Sequence, residues 1–286
     1  PELPEVEIVK RSLKNKVNHK KIKKIIISNR NLRFKVEKNF ENLLEGRSIT
    51  SVSRFSKYII LTLDNHNYCL IHLGMSGTLH LIKYKKEERI TNLSFYHSKN
   101  LPKKHNHIKI KFSNFTIVYN DPRRFGFFKL LNSKKEVKEY FKRFGPEATS
   151  SRFNFKYIKR RLVNKKKNIK NLLLDQNFVS GIGNIYANEI LFHSKISPFK
   201  VVKNLSNKEI SKLAKYSKLI LNLSIKFGGS SIRDFKNAKG ISGLFQNNFK
   251  AYNRENKNCV RKNCKGKIIK RFISNRSSFF CKFCQK

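Results

Sequence analysis

The stretch LLLDQNFVSGIGNIYANEILF, residues 172–192, places a turn with two glycines directly before a segment of helical periodicity. The turn is VSGIG, and the apolar residues of the following NIYANEILFH recur at helical spacing. Backbone N–H groups at such a helix start bind phosphate well. Because two glycines before a helix occur in many folds, this pattern indicates nucleic-acid binding only together with the charge of the chain.

The segments on both sides of this stretch are also helical in pattern. YIKRRLVNKKKNIKNLLLD at 157–175 and KEISKLAKYSKLILNLSIKFG at 208–228 show helical periodicity, and each is followed by a breaker or a polar loop. We therefore predict a mainly helical domain over residues 152–252.

The first half of the chain has a different pattern. Pro4 suits a first helical turn, and apolar residues recur at helical spacing around it: Leu3, Val6, Val9, Leu13 and Val17. Between Lys21 and Leu131 follow short β-rich runs: KKIIIS, SITSVSRF, YIILTL, YCLIHL, HIKIKF, FTIVYN and FGFFKLL. These runs predict an opening helix and then an all-β block, a sandwich or a barrel, over residues 1–132.

A polar stretch carrying Gly145 and Pro146 separates the two patterns. We predict a linker over 133–151 and a small cysteine-bearing appendage over 253–286. A length of 286 residues is enough for two compact domains with separate apolar cores.

The charge of the chain is strongly positive. It has 64 Lys and Arg against 18 Asp and Glu, a net charge of +46, which indicates a polyanionic partner such as nucleic acid. AT-biased coding, suggested by the absence of Trp and by 12 Gly, also enriches Lys. It does not by itself deplete acidic residues, so the charge favours nucleic-acid binding.

No apolar run approaches the roughly 18 residues of a membrane span. The opening PELPEVE also lacks the apolar core of a signal peptide. We expect a cytoplasmic protein without a membrane partner.

Four of the five cysteines lie near the end of the chain, as Cys259, Cys264, Cys281 and Cys284. Their spacing, Cys-x4-Cys, 16 residues and Cys-x2-Cys, is typical of paired thiolate knuckles around one tetrahedral zinc ion. Four thiolates leave no open coordination position, so the zinc would be structural. Cys69 stands alone in an apolar run and is interpreted as a small buried hydrophobe.

Two further features concern DNA chemistry. IIKRF and SSFFC can pair as a short hairpin with Arg276 near its tip, where the guanidinium could meet phosphate or a base. At the other end of the chain, Pro1 offers a secondary amine that titrates near neutrality and can attack an aldehydic carbon, with the acid Glu2 beside it. Alternatively, Pro1 merely follows a removed initiator methionine.

The set of motifs resembles the formamidopyrimidine-DNA glycosylase family over essentially the whole chain. The matching words are PELPEVE at 1–7, SKY at 56–58, IHLGMSG at 71–77, NDPRRFGFF at 120–128, GPE at 145–147, the stretch at 172–192, GGSSIRDF at 228–235 and the closing CQK. The resemblance implies an α+β multidomain fold: an N-terminal β-sandwich with an opening helix, and a C-terminal helical helix-two-turn-helix domain with a zinc finger. It also implies one structural zinc ion, damaged double-stranded DNA as partner, and a monomer.

The resemblance assigns catalytic roles to three residues. Pro1 is implied as the nucleophile on C1′ of the damaged nucleotide and Glu2 as the acid or base acting on the sugar ring oxygen. Lys57 is implied to contact the lesion phosphate and to donate the proton in β-elimination, with Arg276 as the donor in δ-elimination.

The resemblance also assigns DNA-binding residues. Met75 and Phe125 are implied as apolar wedges that fill the gap left by a flipped base, and Arg123 as the partner of the orphaned cytosine. Lys167, within the run of lysines at 165–167, Asn184 and Arg276 are implied to hold the phosphates around the lesion. The remaining implied DNA-binding residues are His105, Arg124, Tyr186, Ser230 and Ser231, the two serines in a loop over the extruded base.

Three departures from the family pattern stand out. The first cysteine pair has four intervening residues where the family usually has two. Asn253 stands where the family usually has glycine, and Asn106 replaces an aspartate between two histidines. Tetrahedral ligation tolerates the longer knuckle.

The function implied is a bifunctional glycosylase and AP lyase that excises oxidised purines. One alternative is the endonuclease VIII branch of the same superfamily, which prefers oxidised pyrimidines; LPEVE, HLGMSG and PRRF favour the purine branch. A basic, non-enzymatic zinc protein would explain the charge and the cysteines, but it leaves Pro1, Glu2 and Lys57 without a role.

Overall fold

A computed structural model of the chain describes residues 1–83, 102–163, 165–230 and 244–286, and the backbone of 86–89. The predicted site residue Ser231 lies outside these ranges. The chain forms two compact units. The first contains Pro1, Leu3–Lys142 and Phe227–Gln246, and the second contains Glu2, Arg143–Lys226 and Asn247–Lys286.

The first unit combines an opening helix with two antiparallel sheets. Its helices are α1 (Leu3–Val17), α2 (Phe40–Leu44) and α3 (Lys134–Phe141). Its strands are β1 (Lys24–Ile27), β2 (Ile49–Phe55), β3 (Tyr58–Leu63), β4 (Tyr68–His72), β5 (Thr78–Lys83), β6 (Lys86–Arg89), β7 (Asn106–Lys111), β8 (Phe115–Asn120) and β9 (Phe127–Leu131). The sheet orders are β1-β7-β8-β5-β6 and β2-β3-β4-β9. The predicted opening helix and β block are confirmed.

One apolar cluster fills the first unit. It joins the buried stripe of α1, including Val9 and Leu13, to side chains from both sheets, such as Leu61 on β3 and Ile117 on β8. Burial of each such side chain contributes about 1.5–3 kcal/mol. Because two sheets contribute to one core, the block is a sandwich with α1 packed on it, as the family resemblance implies.

The stretch expected to be a linker contains helix α3. Ser133 caps it by accepting a hydrogen bond from the Glu136 amide (3.2 Å). The helix packs Val137 and Phe141 against an apolar cluster that includes Leu131 of β9. The polar composition of 133–151 hid this helix, although Ser-x-x-Glu is a recognised helix start.

The second unit contains α4 (Phe155–Leu162), α5 (Ile169–Leu174), α6 (Asn184–Ser194), α7 (Asn207–Lys226), β10 (Ile268–Ile273) and β11 (Arg276–Cys281). The prediction of one helical segment over 157–175 is wrong. Val163 leaves the helical conformation (ψ 130°), and Asn168 starts α5 by accepting from the Asn171 amide (2.8 Å). No helix within the described ranges is long and apolar enough to cross a membrane.

Strands β10 and β11 form the predicted hairpin, with Ile273 opposite Arg276. Ser274 and Asn275 make the turn with φ of 48° and 60°. Positive φ at both positions matches the turn that suits a two-residue hairpin. Arg276 therefore lies at the tip, as expected.

Candidate active site and nucleic-acid interface

The carboxylate of Glu2 lies at the N-terminus of α6. It accepts hydrogen bonds from the backbone N–H groups of Gly183 (2.5 Å), Ile185 (2.8 Å) and Tyr186 (3.4 Å). These are donors that a helix start leaves without intrahelical partners, and the positive end of the helix dipole favours a negative charge there. These backbone groups thereby fix the side chain of Glu2, a residue that is only 8% exposed.

Gly183 is required for this contact because of space. A Cβ at this position would lie 2.5 Å from Cδ of Glu2 and 2.7 Å from its Cγ. We interpreted this helix start as a phosphate site from sequence. That interpretation is corrected, since an acidic side chain of the same chain takes the donors that a phosphate would use.

Two amines lie close to His72 in the first unit. Burial, and then the positive charges of Lys57 and of the terminal amine of Pro1, together lower the pKa of His72 to about 3. Lys57 is half-buried in the turn between β2 and β3, and Pro1 is also half-buried. The neutral ring of His72 accepts a hydrogen bond from the amide of Gly74 (3.0 Å). The fold thus brings together the two amines predicted to be catalytic.

Two exposed loops, residues 73–77 and 121–126, present Met75, Arg123 and Phe125 together. Met75 is 47% exposed and Phe125 41% exposed. The guanidinium of Arg123 lies 3.5 Å from the Met75 sulfur and 4.6 Å from the centre of the Phe125 ring. Large apolar side chains exposed beside an arginine are typical of an interaction surface. The trio predicted from sequence is therefore assembled on one face of the first unit.

The buried carboxylate of Asp121 connects the two exposed loops. One oxygen accepts from the hydroxyl of Ser76 (2.5 Å), and the other accepts from the Tyr119 hydroxyl (2.8 Å) and the Gly126 amide (2.9 Å). Ser76 in turn accepts from the amide of Arg123 (3.2 Å). Burial, and then the Asp121 charge, raise the pKa of Tyr119, which keeps its hydroxyl a donor. One carboxylate thus fixes both loops.

The backbones of these loops also touch. A Cβ on Gly74 would lie 2.5 Å from the Gly126 nitrogen, and a Cβ on Gly126 would lie 2.0 Å from the Tyr119 hydroxyl. Gly74 also has a φ of 63°, which favours glycine. Neither position accepts a side chain, so the two loops hold one relative position.

Basic groups surround a cavity of about 590 Å³ beside these loops. It is lined by Asn31, Leu32, Arg33, Arg123, Arg124 and Phe125. Within the described ranges, none of its arginines forms an ion pair with a carboxylate. Arg124 has a φ of 54°, an uncommon conformation for a bulky residue that is more frequent at functional sites. The cavity suits an anionic ligand.

Two other predicted residues of the first unit have local partners. The carbonyl of His105 accepts from the amide of Asp121 (3.0 Å), which places this half-buried histidine beside the exposed loops. Burial, then the neighbouring Lys104, lowers the pKa of His105. Ser230 donates its amide and its hydroxyl to the same oxygen of Glu5, each at 2.9 Å.

Strand β11 is tied to α5 and α6 beside the Glu2 contact. The ammonium of the buried Lys170 donates to the carbonyl of Ser277 (2.7 Å) and the hydroxyl of Ser278 (2.6 Å). Asn184, the first residue of α6, also donates to the Ser277 carbonyl (3.1 Å). Burial, and then the charge of Arg276, lower the pKa of Lys170 to about 7. Arg276, Asn184 and Glu2 are thus held within one part of the second unit.

The last two predicted DNA-binding residues differ in exposure. Lys167 is 58% exposed and lies 3.6 Å from the carboxylate of Asp175. Tyr186 is completely buried, and its hydroxyl shares a hydrogen bond with that of Ser224 (2.5 Å). Because the exposure of the whole residue is 0%, neither its side chain nor its backbone lies at the surface, and the predicted contact of Tyr186 with DNA is corrected.

The four clustered cysteines meet at one point, with their sulfur atoms within 4.8 Å of one another. Cys259 and Cys284 are 3.8 Å apart at sulfur, and Cys264 and Cys281 are 3.7 Å apart. Tetrahedral zinc with bonds of about 2.3 Å requires sulfur atoms about 3.8 Å apart. The cluster could hold a metal ion, and its donor set and spacing fit zinc.

Sequence reasoning missed the residues that position the predicted ones. Asp121 stands inside the motif NDPRRFGFF, from which sequence reasoning selects the arginines and Phe125, and Lys170 has the sequence pattern of an ordinary surface lysine. Its place among buried residues of α5, with Ile169 and Leu172 beside it, was the available signal. Glu189 was also missed; it is 1% exposed and accepts from the amides of residues 250–252 at 2.7 to 2.9 Å.

Comparison with known families matches both units. The profile of the formamidopyrimidine-DNA glycosylase N-terminal domain matches residues 1–128, and that of the formamidopyrimidine-DNA glycosylase H2TH domain matches residues 144–236. A formamidopyrimidine-DNA glycosylase of Wolbachia sp. subsp. Drosophila simulans (strain wRi) is 40% identical over 286 residues, which are 100% of this chain and 99% of the relative.

Solved structures with the same fold contain DNA. The crystal structure of Lactococcus lactis Fpg with an abasic site containing DNA matches with a TM-score of 0.87 at 33% identity and covers 100% of both chains. A mutant of that protein with a Fapy-dG containing DNA matches with a TM-score of 0.88 at 33% identity, again over 100% of both chains.

Proposed function

The chain belongs to the formamidopyrimidine-DNA glycosylase family, and from this premise we propose that it excises oxidised purines, 8-oxoguanine and formamidopyrimidines, from duplex DNA. It then cleaves the strand at the resulting abasic site. The observation that carries the proposal is the carboxylate of Glu2, fixed by the N–H groups of α6 directly after the terminal secondary amine of Pro1.

The chemistry starts with the deprotonated nitrogen of Pro1, which attacks C1′. The C1′–base bond breaks, and the base leaves with the electron pair and takes a proton. The attacked nitrogen next gives up its N–H proton to the carboxylate of Glu2. The lone pair this frees forms an iminium as the bond from C1′ to the ring oxygen breaks, and Glu2 passes the proton to that oxygen. The iminium withdraws electrons, so loss of a C2′ proton expels the 3′ phosphate, and a second elimination expels the 5′ phosphate. No redox agent is consumed.

Cationic side chains hold the phosphates. Lys57 contacts the lesion phosphate and donates the proton in β-elimination, and Arg276 donates in δ-elimination. Lys167, Asn184 and Arg276 hold the phosphates on both sides of the lesion, with further DNA contacts from His105, Arg124, Ser230 and Ser231; the buried Tyr186 is not among these contacts. The affinity for duplex DNA should therefore fall steeply as the salt concentration rises, because each neutralised phosphate releases about 0.9 counterion. A nearly flat dependence of log affinity on log salt would contradict these phosphate contacts.

The base-flipping step depends on the exposed loops of the first unit. Met75 and Phe125 enter the space left by the extruded base, and Arg123 pairs with the orphaned cytosine. The proximity of these three side chains supports the proposal.

The protein acts as a monomer with one structural zinc ion, held by Cys259, Cys264, Cys281 and Cys284. Of the predicted domain boundaries, the one at 132 moves to Lys142, because α3 lies in the stretch 133–151 and packs on the first unit. The ion supplies no reaction step, because four thiolates complete its coordination.

Borohydride trapping tests the nucleophile. Reduction of the iminium should leave a duplex carrying 8-oxoguanine covalently attached to residue 1, whereas a form that retains a methionine ahead of Pro1 has an amide there and should trap nothing. The variant Lys57→Met tests the other candidate amine in the same trapping experiment. Loss of trapping in Lys57→Met with trapping retained in the methionine-bearing form would assign the nucleophile to Lys57 instead.

A substrate panel separates this function from the alternatives. Excision of an oxidised pyrimidine with no excision of 8-oxoguanine would favour the endonuclease VIII type of activity. Tight binding of lesion DNA with no excision of either base would favour the non-enzymatic zinc protein.

A further inference from the structure

The first cysteine knuckle is longer than the family pattern, and the extra length has a definite conformation. The Cys264 amide donates to the carbonyl of Arg261 (3.1 Å), closing a four-residue turn. Asn263 has a φ of 65° at the third position of this turn, where asparagine is tolerated. The inserted residues therefore form an ordered turn that places Arg261.

The side chain of Arg261 makes three contacts within the second unit. One guanidinium nitrogen donates to the sulfur of Cys284, and the other donates to the carbonyl of Phe192. The guanidinium carbon also lies 3.9 Å from the centre of the Phe192 ring. A planar, forked cation is suited to bind a thiolate and a carbonyl while it stacks on a ring.

Phe192 lies in the last turn of α6, where carbonyls lack intrahelical donors. Its carbonyl also accepts from the amide of Lys195 (3.0 Å), which ends the helix in a left-handed conformation. A cation at this end interacts favourably with the negative end of the helix dipole. Arg261 thus binds the C-terminal end of the helix whose N-terminal end holds Glu2.

The position of Arg261 between a metal-ligand candidate and a helix end explains why this contact would respond to the metal. Four thiolates and one divalent zinc ion carry a charge of −4 + 2 = −2, which a guanidinium hydrogen bond to sulfur partly offsets. Without the metal, the four sulfur atoms lose their common centre, so the Cys284 sulfur that Arg261 contacts is no longer held in place beside the end of α6. The helix end and the metal site therefore share one arginine.

We propose that Arg261 is a positioning residue that couples metal occupancy of the cysteine cluster to the order of the C-terminal turn of α6. The inference rests on the zinc site of the proposed function. It adds that the lengthened knuckle makes the α6 helix, and not only the hairpin, dependent on the ion.

Two readouts on the full-length, zinc-loaded protein test the proposal. Arg261→Met keeps the length of the side chain but removes all donors, Arg261→Lys keeps the charge but loses the fork, and Lys262→Met removes an exposed charge from the same turn as the control. Arg261→Met should release zinc to a chelator about tenfold faster, the scale of effect typical of partners that contact metal ligands. Hydrogen exchange at residues 191–196 should accelerate as well.

Arg261→Lys should fall between wild type and Arg261→Met, and Lys262→Met should match wild type. In wild type, chelation should accelerate exchange at 191–196, and in Arg261→Met it should add nothing further. A change in only one readout, or no difference between Arg261→Met and Lys262→Met, would overturn the proposal. If Arg261→Met does not fold, Arg261→Lys decides by the same two readouts. Wild-type protein without metal would reject the zinc site itself, and trapping at Pro1 would still report on catalysis separately.

Discussion

The exposed loops of the first unit and the cysteine finger of the second, residues 259–284, both present an arginine on irregular backbone. The loops are fixed by hydrogen bonds to Asp121 and pack on a large sandwich core. The finger belongs to a small cluster of buried residues, Phe192, Ala251, Cys259, Ile268, Phe279 and Cys281, in which two of the six are metal-ligand candidates.

The difference shows two ways of placing a guanidinium. Arg123 depends on a buried carboxylate that the fold supplies, so its position is independent of metal. Arg276 depends on a hairpin that packs on a small cluster containing two of the four cysteines, so we expect its position to require the proposed ion as well as the hydrogen bonds from α5 and α6. Perturbations of the two regions should therefore have separate effects.

The largest expected effect is that of metal loss. Structural zinc contributes roughly 10–16 kcal/mol of apparent binding free energy in small zinc domains. Cys281→Ser, or chelation, should unfold the finger and abolish DNA binding, while the unfolding transition of the first unit stays unchanged. Calorimetry with metal analysis measures both. If metal-free protein bound DNA with full affinity, the finger would not depend on the ion, and the contrast with the loops of the first unit would be wrong.

Substitution of Asp121 should have the next largest effect. Asp121→Asn leaves buried donors unpaired and should lower the free energy of unfolding by about 2–4 kcal/mol. Excision from duplex DNA should fall, and zinc content should not change. Ser76→Ala removes the hydrogen bond to Asp121 and the one from the Arg123 amide, but keeps the carboxylate; it is the comparison variant and should cost less, about 1–2 kcal/mol. Equal losses in the two variants would show that Asp121 does not hold the loops.

The smallest expected effect, taken per pH unit, is a pH dependence of the free energy of unfolding from Lys170. The folded pKa is about 7, whereas an unfolded lysine keeps its proton to about 10.4, so between these values the unfolded state binds more protons. Stability should therefore rise with pH across this window, by at most about 1.4 kcal/mol per unit, and the cost of the buried charge is fully present below pH 7. Lys170→Met should lose this slope, and the exposed Lys167→Met should keep it. If the free energy of unfolding depended on pH in the same way in wild type and Lys170→Met, the lowered pKa of Lys170 would not be the cause of the slope.

The sequence predicts those features that periodicity and spacing encode. The α1 stripe, the β block, the β10–β11 hairpin and the four cysteines follow from local pattern. Helix α3 and the break between α4 and α5 depend on single capping residues, Ser133 and Asn168, within polar segments. Such helix starts can be predicted only when the capping residues are considered as well as the polar composition of the segment.

The positioning groups could not be predicted, because their partners are distant in sequence. Asp121 meets Ser76 from 45 residues away, and Glu2 meets Gly183 from 181 residues away. The sequence does not distinguish a carboxylate that is buried from one that is exposed. Only the fold shows that the glycine before α6 admits Glu2 and not a phosphate.

Gly183→Ala tests the central claim most directly, namely that the start of α6 holds Glu2 as the catalytic acid. The new Cβ would lie 2.5 Å from Cδ of Glu2 and displace the carboxylate. Excision of 8-oxoguanine from intact duplex should fall at least about 100-fold, as for Glu2→Gln, because a positioned proton donor contributes about 10²–10⁴-fold. Cleavage of a pre-formed abasic site should fall much less, with zinc content unchanged. Excision at the wild-type rate by correctly folded Gly183→Ala would contradict the account.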